Sequence, residues 1–134
     1  MHIDGQCHCG YITYEAEIEP GDVAICHCTD CQRLTGSAYR VSTFSRREDF
    51  RVTGGEPSVY VKIGESGNRS MQHFCPKCGS PCFRTGEGEG PDEVAIRLGT
   101  ISQRLNLVPT SQHWRRSALP WVEDLRHIPS CEKE

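Results

Sequence analysis

Aromatic residues make up only 7% of this 134-residue chain, and no apolar run approaches the length of a bilayer crossing. That shortage excludes a helical membrane protein and leaves little material for a packed interior. With a mass of 15.0 kDa and a mean hydropathy of −0.54, the expectation is one domain, residues 1–134, whose thin core needs support from something besides burial. Concentrated positive charge is missing too. The formal net charge is −3, and the only adjacent basic pairs are Arg46-Arg47 and Arg115-Arg116, read as solvated surface charge. This excludes the basic track that a nucleic-acid partner requires. Finally, Met1-His2-Ile3-Asp4-Gly5 has neither the basic nor the apolar region of a secretory signal, so the expected location is the cytoplasm.

What the chain has in excess is cysteine. There are nine, an odd number, and they fall in tight clusters rather than in the dispersed pattern of a disulfide framework. Thiols one or two residues apart suit a shared metal ion better than a disulfide, and a reducing compartment keeps them available for it. The clusters are Cys7-His8-Cys9, Cys26-His27-Cys28-Thr29-Asp30-Cys31, and Cys75-Pro76-Lys77-Cys78-Gly79, with Cys82 just beyond the last.

Between the clusters the pattern is that of strands. Residues 10–18 alternate, with Ile12, Tyr14, Ala16 and Ile18 on one face, and Pro20-Gly21 turns the chain into a short strand over 22–26. Residues 29–35 read as a helix closed by Gly36, placing Cys31 in a first turn whose free N–H groups favour a thiolate. Strands follow over 38–44, 50–53, 59–63, 69–74, 81–85 and 93–98. The spacing Ser45-Arg46-Arg47-Glu48 predicts a capping box with one helical turn, and residues 64–68 a hairpin loop. Residues 86–92, Gly-Glu-Gly-Glu-Gly-Pro-Asp, are flexible by composition. Pro109, Pro120 and Pro129 interrupt the remainder, which has one strand near residues 112–115. The class is mainly β.

Cys75-Pro-Lys-Cys78-Gly is a zinc-knuckle spacing that supplies two ligands. Cys7 and Cys9, a C-x-C on an extended segment, are the best candidates for the other two. Such a closed site would pin the N-terminus to the middle of the chain. Cys26, Cys28 and Cys31 are left for a second ion with one coordination position free. An ion gripped by three thiolates suits a fourth, exchangeable sulfur ligand, and with it the addition of a thiol to a small carbonyl compound or the reverse cleavage. The alternative is that Cys82 closes this second site, which would make the protein a non-catalytic, zinc-stabilised binding module; otherwise Cys82 is a buried side chain beside Phe83.

The order Cys7-x-Cys9-Gly10, Cys26-His27-Cys28-x-x-Cys31, Cys75-Pro76-x-Cys78-Gly79-Ser80-Pro81 and Pro120-Trp121 resembles the glutathione-dependent formaldehyde-activating enzyme family, whose relatives include centromere protein V. The resemblance covers nearly the whole chain. It implies an Mss4-like fold of several small antiparallel sheets around two zinc ions per chain. One would be structural, on Cys7, Cys9, Cys75 and Cys78, and one catalytic, on Cys26, Cys28 and Cys31. It also implies carbon–sulfur lyase chemistry that joins formaldehyde to glutathione as S-hydroxymethylglutathione. The expected partners are therefore a small thiol and an aldehyde, with the chain a monomer or homodimer.

The remaining candidates have local explanations. His8 and His27, flanked by ligand cysteines, point away from the metal and are expected behind the ligands or exposed. His73 is expected as a satisfied strand residue. Asp30 is either a proton shuttle or an ordinary first-turn acid, and Trp114 and Trp121 either line a pocket or, as is expected with so few aromatics, pack in the core. Gly36 and Ser37 are placed at the mouth of the second site, and Cys131 is a free surface thiol.

Overall fold

The structure, a computed structural model, describes residues 1–86 and 92–134. Residues 87–91, most of the glycine-rich acidic segment, lie outside the described residues. In chain order the elements are β1 (His2–Gln6), β2 (Thr13–Glu17), β3 (Val23–Cys26), α1 (Thr29–Thr35), β4 (Arg40–Arg46), β5 (Phe50–Gly54), β6 (Ser58–Ile63), β7 (Arg69–Phe74), β8 (Pro81–Gly86), β9 (Glu93–Arg97) and β10 (Ser111–His113). The mainly β class expected from the alternating pattern is the one observed.

The strands form two sheets. One has the order β1-β2-β5 and the other β10-β3-β4-β9-β8-β7-β6. All pairings are antiparallel except β10 with β3, which run parallel. The alternating residues Ile12, Tyr14, Ala16 and Ile18 are all buried and face the large sheet. Tyr14 stacks on Phe50, with ring centroids 5.6 Å apart, and Phe50 meets Phe83 of β8 at 4.6 Å. Val94 and Ile96 of β9 complete the contact between the sheets. Few rings are available, and three of them, Tyr14, Phe50 and Phe83, meet at this one seam.

Several boundaries move for local reasons. β2 begins at Thr13 because residues 7–12 form a tight turn. The Cys7 N–H donates to the Ile12 carbonyl at 3.0 Å, the Gly10 N–H donates to the Cys7 carbonyl at 3.1 Å, and Gly10 adopts φ 81°. The first cysteine pair therefore sits on a turn, not on an extended segment. β1, ahead of it, carries one large apolar anchor, Ile3, too little for a periodic signal. The capping box does not form. Ser45 instead donates its hydroxyl to the carbonyls of Glu17 and Arg46, and the helical turn over Arg47–Asp49 has no side-chain cap. β9 is buried on both faces over Val94–Arg97. Both tryptophans depart from core packing: Trp114 is 53% and Trp121 51% exposed.

Candidate metal centres

The sulfurs of Cys7, Cys9, Cys75 and Cys78 all lie within 4.8 Å of one another. Two turns bring them together: the hairpin tip that carries Cys7 and Cys9, and the knuckle between β7 and β8. In the knuckle the Gly79 N–H donates to the Cys75 carbonyl at 2.8 Å, the Cys75 N–H donates to the Ser80 carbonyl at 3.0 Å, and Gly79 has φ 79°. The Ile12 N–H points at Cys7 Sγ at 3.2 Å, and those of Lys77 and Cys78 at Cys75 Sγ at 3.4 and 3.5 Å. Ser80 ties the turns together, its Oγ lying 3.2 Å from Cys78 Sγ and accepting from the His8 N–H at 3.1 Å.

This geometry fits a tetrahedral ion. Four sulfurs each about 2.3 Å from one zinc stand about 3.8 Å apart, and the measured separations are 3.6 Å for Cys7 to Cys9 and 3.7 Å for Cys9 to Cys75. The charges point the same way. Hydrogen bonds from Ser80 and the Cys9 N–H bring the Cys78 thiol down to about 5. The Tyr11 N–H favours the Cys9 thiolate, but burial and the other three sulfurs outweigh it and push Cys9 up to about 11. Four thiolates so close are held ionised together only by a cation among them.

The second group is Cys26, Cys28 and Cys31, whose sulfurs also lie within 4.8 Å of one another. Among the described residues no fourth Cys, His, Asp or Glu joins them. β3 delivers Cys26, and Cys28 is the N-cap of α1, its sulfur accepting from the Cys31 N–H at 3.2 Å. Gly36 closes the helix in the left-handed conformation, φ 63°. The expectation for Cys31 is corrected here. Its own thiol is buried and pushed up to about 12, while the helix-start N–H serves Cys28. At Cys28 burial opposes ionisation, but the Cys31 N–H, the adjacent thiols and Lys62 overcome it and hold the thiol below its usual range.

The register places basic side chains behind this group. Arg40 of β4 pairs directly with Cys26, and Ser42, two residues on and on the same face, pairs with Arg97 of β9. Lys62 of β6 ion-pairs with Asp30 of α1 at 2.9 Å. That hydrogen bond and charge keep the Asp30 carboxyl below its usual range, so Asp30 is an ionised helix-start acid and not a poised proton donor. Sequence inspection singled out none of Arg40, Gln72 and Arg97. The available signal was an arginine ending the otherwise apolar run Val94-Ala95-Ile96.

Cys82 lies elsewhere. Its side chain is fully buried in the core with Cys7 and Cys75, and its thiol donates to the Ser80 carbonyl at 3.4 Å. Burial, then the neighbouring Cys7, Cys75 and Cys78, push it up to about 12, a neutral thiol beside the four-sulfur group and not part of the three-sulfur one.

His8 is exposed, whereas His27 is not: at 1% exposure its Nε2 donates to Gln112 Oε1 at 2.8 Å, and Nδ1 is buried without a partner among the described residues. Gln32 donates to the His27 and Ser117 carbonyls. The segment around β10 is thereby strapped to the three-cysteine loop. His73 Nε2 and Thr85 Oγ1 lie 2.9 Å apart, and the His73 ring stacks on Phe83, as expected of a satisfied strand residue. Gly36 and Ser37 are exposed at the end of α1, and Cys131 is exposed.

Comparison with known proteins bears on family and fold. The model of a family described as glutathione-dependent formaldehyde-activating enzyme matches residues 2–117. A Halomonas elongata protein provisionally named a glutathione-dependent formaldehyde-activating enzyme is 26% identical over 128 residues, spanning 92% of this chain and 81% of that one. The crystal structure of a Rhodobacter sphaeroides protein superposes with a TM-score of 0.64 at 23% identity, covering 81% of this chain and 98% of that one; this likeness is one of fold. Among the described residues no helix is long and apolar enough to cross a membrane.

Proposed function

Because the chain belongs to the glutathione-dependent formaldehyde-activating enzyme family, we propose that it is a zinc-dependent carbon–sulfur lyase that joins a glutathione-like thiol to formaldehyde, or cleaves the adduct. In this reading Cys7, Cys9, Cys75 and Cys78 hold a structural zinc, and Cys26, Cys28 and Cys31 hold a catalytic one. The observation that carries it is the three-sulfur group to which no fourth side chain of the described residues contributes, since a structural site is normally closed by four protein ligands.

A zinc ion held by Cys26, Cys28 and Cys31 would supply a Lewis-acid centre that favours the ionised form of a substrate thiol. The chain's own residues then do the positioning. Cys26 is fixed by the end of β3, and Cys28 and Cys31 by the first turn of α1. The strap through His27, Gln112 and Gln32 holds that turn against β10. The thiolate sulfur donates an electron pair to the carbonyl carbon, the carbon–sulfur bond forms, and the carbonyl π pair moves to oxygen. The oxygen takes up a proton equivalent to the one lost by the thiol, so the sum is thiol plus formaldehyde giving the S-hydroxymethyl adduct.

The competing reading, a non-catalytic zinc-stabilised module, requires Cys82 at the second group, and Cys82 sits beside the first. The test is formation of the S-hydroxymethyl adduct, followed by NMR with labelled formaldehyde and glutathione. Zinc-loaded protein is expected to accelerate it and Cys28→Ser to abolish that acceleration; equal rates with and without protein would refute the proposal.

A further inference from the structure

Several basic side chains share the face of the large sheet that carries Cys26, and they are not answered alike. Arg84 has Glu93 at 3.6 Å and Lys62 has Asp30 at 2.9 Å. Arg97 and Arg40 have no carboxylate within ion-pair distance among the described residues. Arg97 is only 7% exposed. Its guanidinium donates to Ser42 Oγ at 2.7 Å and to Gln72 Oε1 at 3.0 Å. Arg40 donates to the same Gln72 oxygen at 3.1 Å. One amide carbonyl, itself oriented by donation from Gln72 Nε2 to Ser70 Oγ at 2.8 Å, therefore holds two like charges side by side.

A buried guanidinium without an anion is costly, and a second one beside it adds repulsion. Burial first, then Arg40 and Arg84, lower Arg97 to about 9, while Cys31 and Cys26 act in the opposite sense. Such an arrangement makes sense where negative charge is supplied in the working state, and the three-sulfur group supplies it. Cys26, which carries one of those sulfurs, is the register partner of Arg40. A divalent ion on three thiolates leaves one net negative charge, and a fourth thiolate leaves two. The two guanidiniums match the second state.

Resting on the reading of that group as a metal site, we propose that Arg97 and Arg40, clamped together on Gln72, are the counter-charge of the three-thiolate centre and make it accept its fourth ligand as an anion. They are positioning residues that act through charge. The contrast with the four-sulfur group sharpens this. There the nearby cation, Lys77, lies over the Tyr11 ring at 4.1 Å and is not buried in a sheet.

The test is metal competition on the full chain loaded with cobalt, titrating a chelator while following the sulfur-to-cobalt absorption, then adding glutathione. For Arg97→Met we expect roughly 10- to 100-fold weaker metal binding at the three-sulfur site, unchanged binding at the four-sulfur site, and a glutathione response that needs at least about tenfold more thiol. Arg97→Lys, which keeps the charge, should recover most of the loss; a merely space-filling role would not be rescued this way. Metal affinity and thiol response within twofold of wild type in Arg97→Met would overturn the proposal. Should that variant not fold, Arg40→Gln, at a half-exposed position, carries the same test, and unchanged affinity there overturns it equally. If the unsubstituted protein takes up only one metal, the metal reading of the three-sulfur group falls and this proposal with it. Two metals in wild type with an indifferent Arg97→Met sinks the counter-charge alone.

Discussion

Cys9 and Cys75 are 66 residues apart in sequence and 3.7 Å apart at their sulfurs, whereas Cys26, Cys28 and Cys31 share one six-residue stretch. A cross-link that closes a long loop removes more entropy from the unfolded chain than one that closes a short loop. By the chain-entropy model the two differ as about 4 against about 2 kcal/mol. The four-sulfur group also touches the core, where Cys7 and Cys75 are buried among Ile12, Tyr14 and Phe83. The three-sulfur group lies on the other face of the large sheet, beside a short helix and a row of cations. One cluster is built to hold distant parts of the chain together. The other is preassembled locally, and in the proposed reading it adds little to the fold and is left for chemistry.

This difference is open to direct attack. The largest effect is expected from Cys78→Ser, which breaks the long-range link. Structural zinc in small domains contributes on the order of 10 kcal/mol, comparable to a whole domain's stability, so the variant should lose cooperative folding in a urea or thermal melt followed by circular dichroism. Cys28→Ser should lose one of two zinc ions and all adduct-forming activity while its melt stays close to wild type. If the two variants destabilise equally, the proposed division of labour is wrong.

Much of the comparison could be read before any coordinates. The knuckle Cys75-Pro-Lys-Cys78-Gly and the alternation from Ile12 to Ile18 each report a short-range geometry, and short-range geometry is what local sequence encodes. Thr29–Thr35 with Gly36 after it was legible for the same reason. The failures are tertiary. Nothing near His2–Gln6 reveals a strand, because Ile3 alone anchors it and β2 supplies its hydrogen bonds. Trp114 and Trp121 are large and apolar, yet the seam between the sheets is already filled by Tyr14, Phe50 and Phe83. Ser45 has a better partner in the Glu17 carbonyl than in a helix start. Arg97 acquires its meaning from Gln72, and no pattern along the chain joins β9 to β7.

Smaller substitutions refine the contrast. Ile96→Ala, in the middle of the core, should cost about 2 to 5 kcal/mol by denaturant titration with both metals retained, which separates core packing from metal support. Gly36→Ala meets no atom within 4 Å of the added methyl, so its cost is the left-handed backbone alone, about 1 kcal/mol. Because Gly36 ends the helix that carries Cys31, its effect on metal affinity should fall on the three-sulfur group and leave the four-sulfur group untouched, as read by chelator competition.

The most direct measurement is a metal count joined to a thiol titration of cobalt-substituted protein. We expect close to two equivalents bound per chain, with the spectrum of one changing saturably as glutathione is added and the other inert. A single equivalent, or two that both ignore the thiol, would contradict the claim that Cys26, Cys28 and Cys31 leave a position for a ligand from outside the chain.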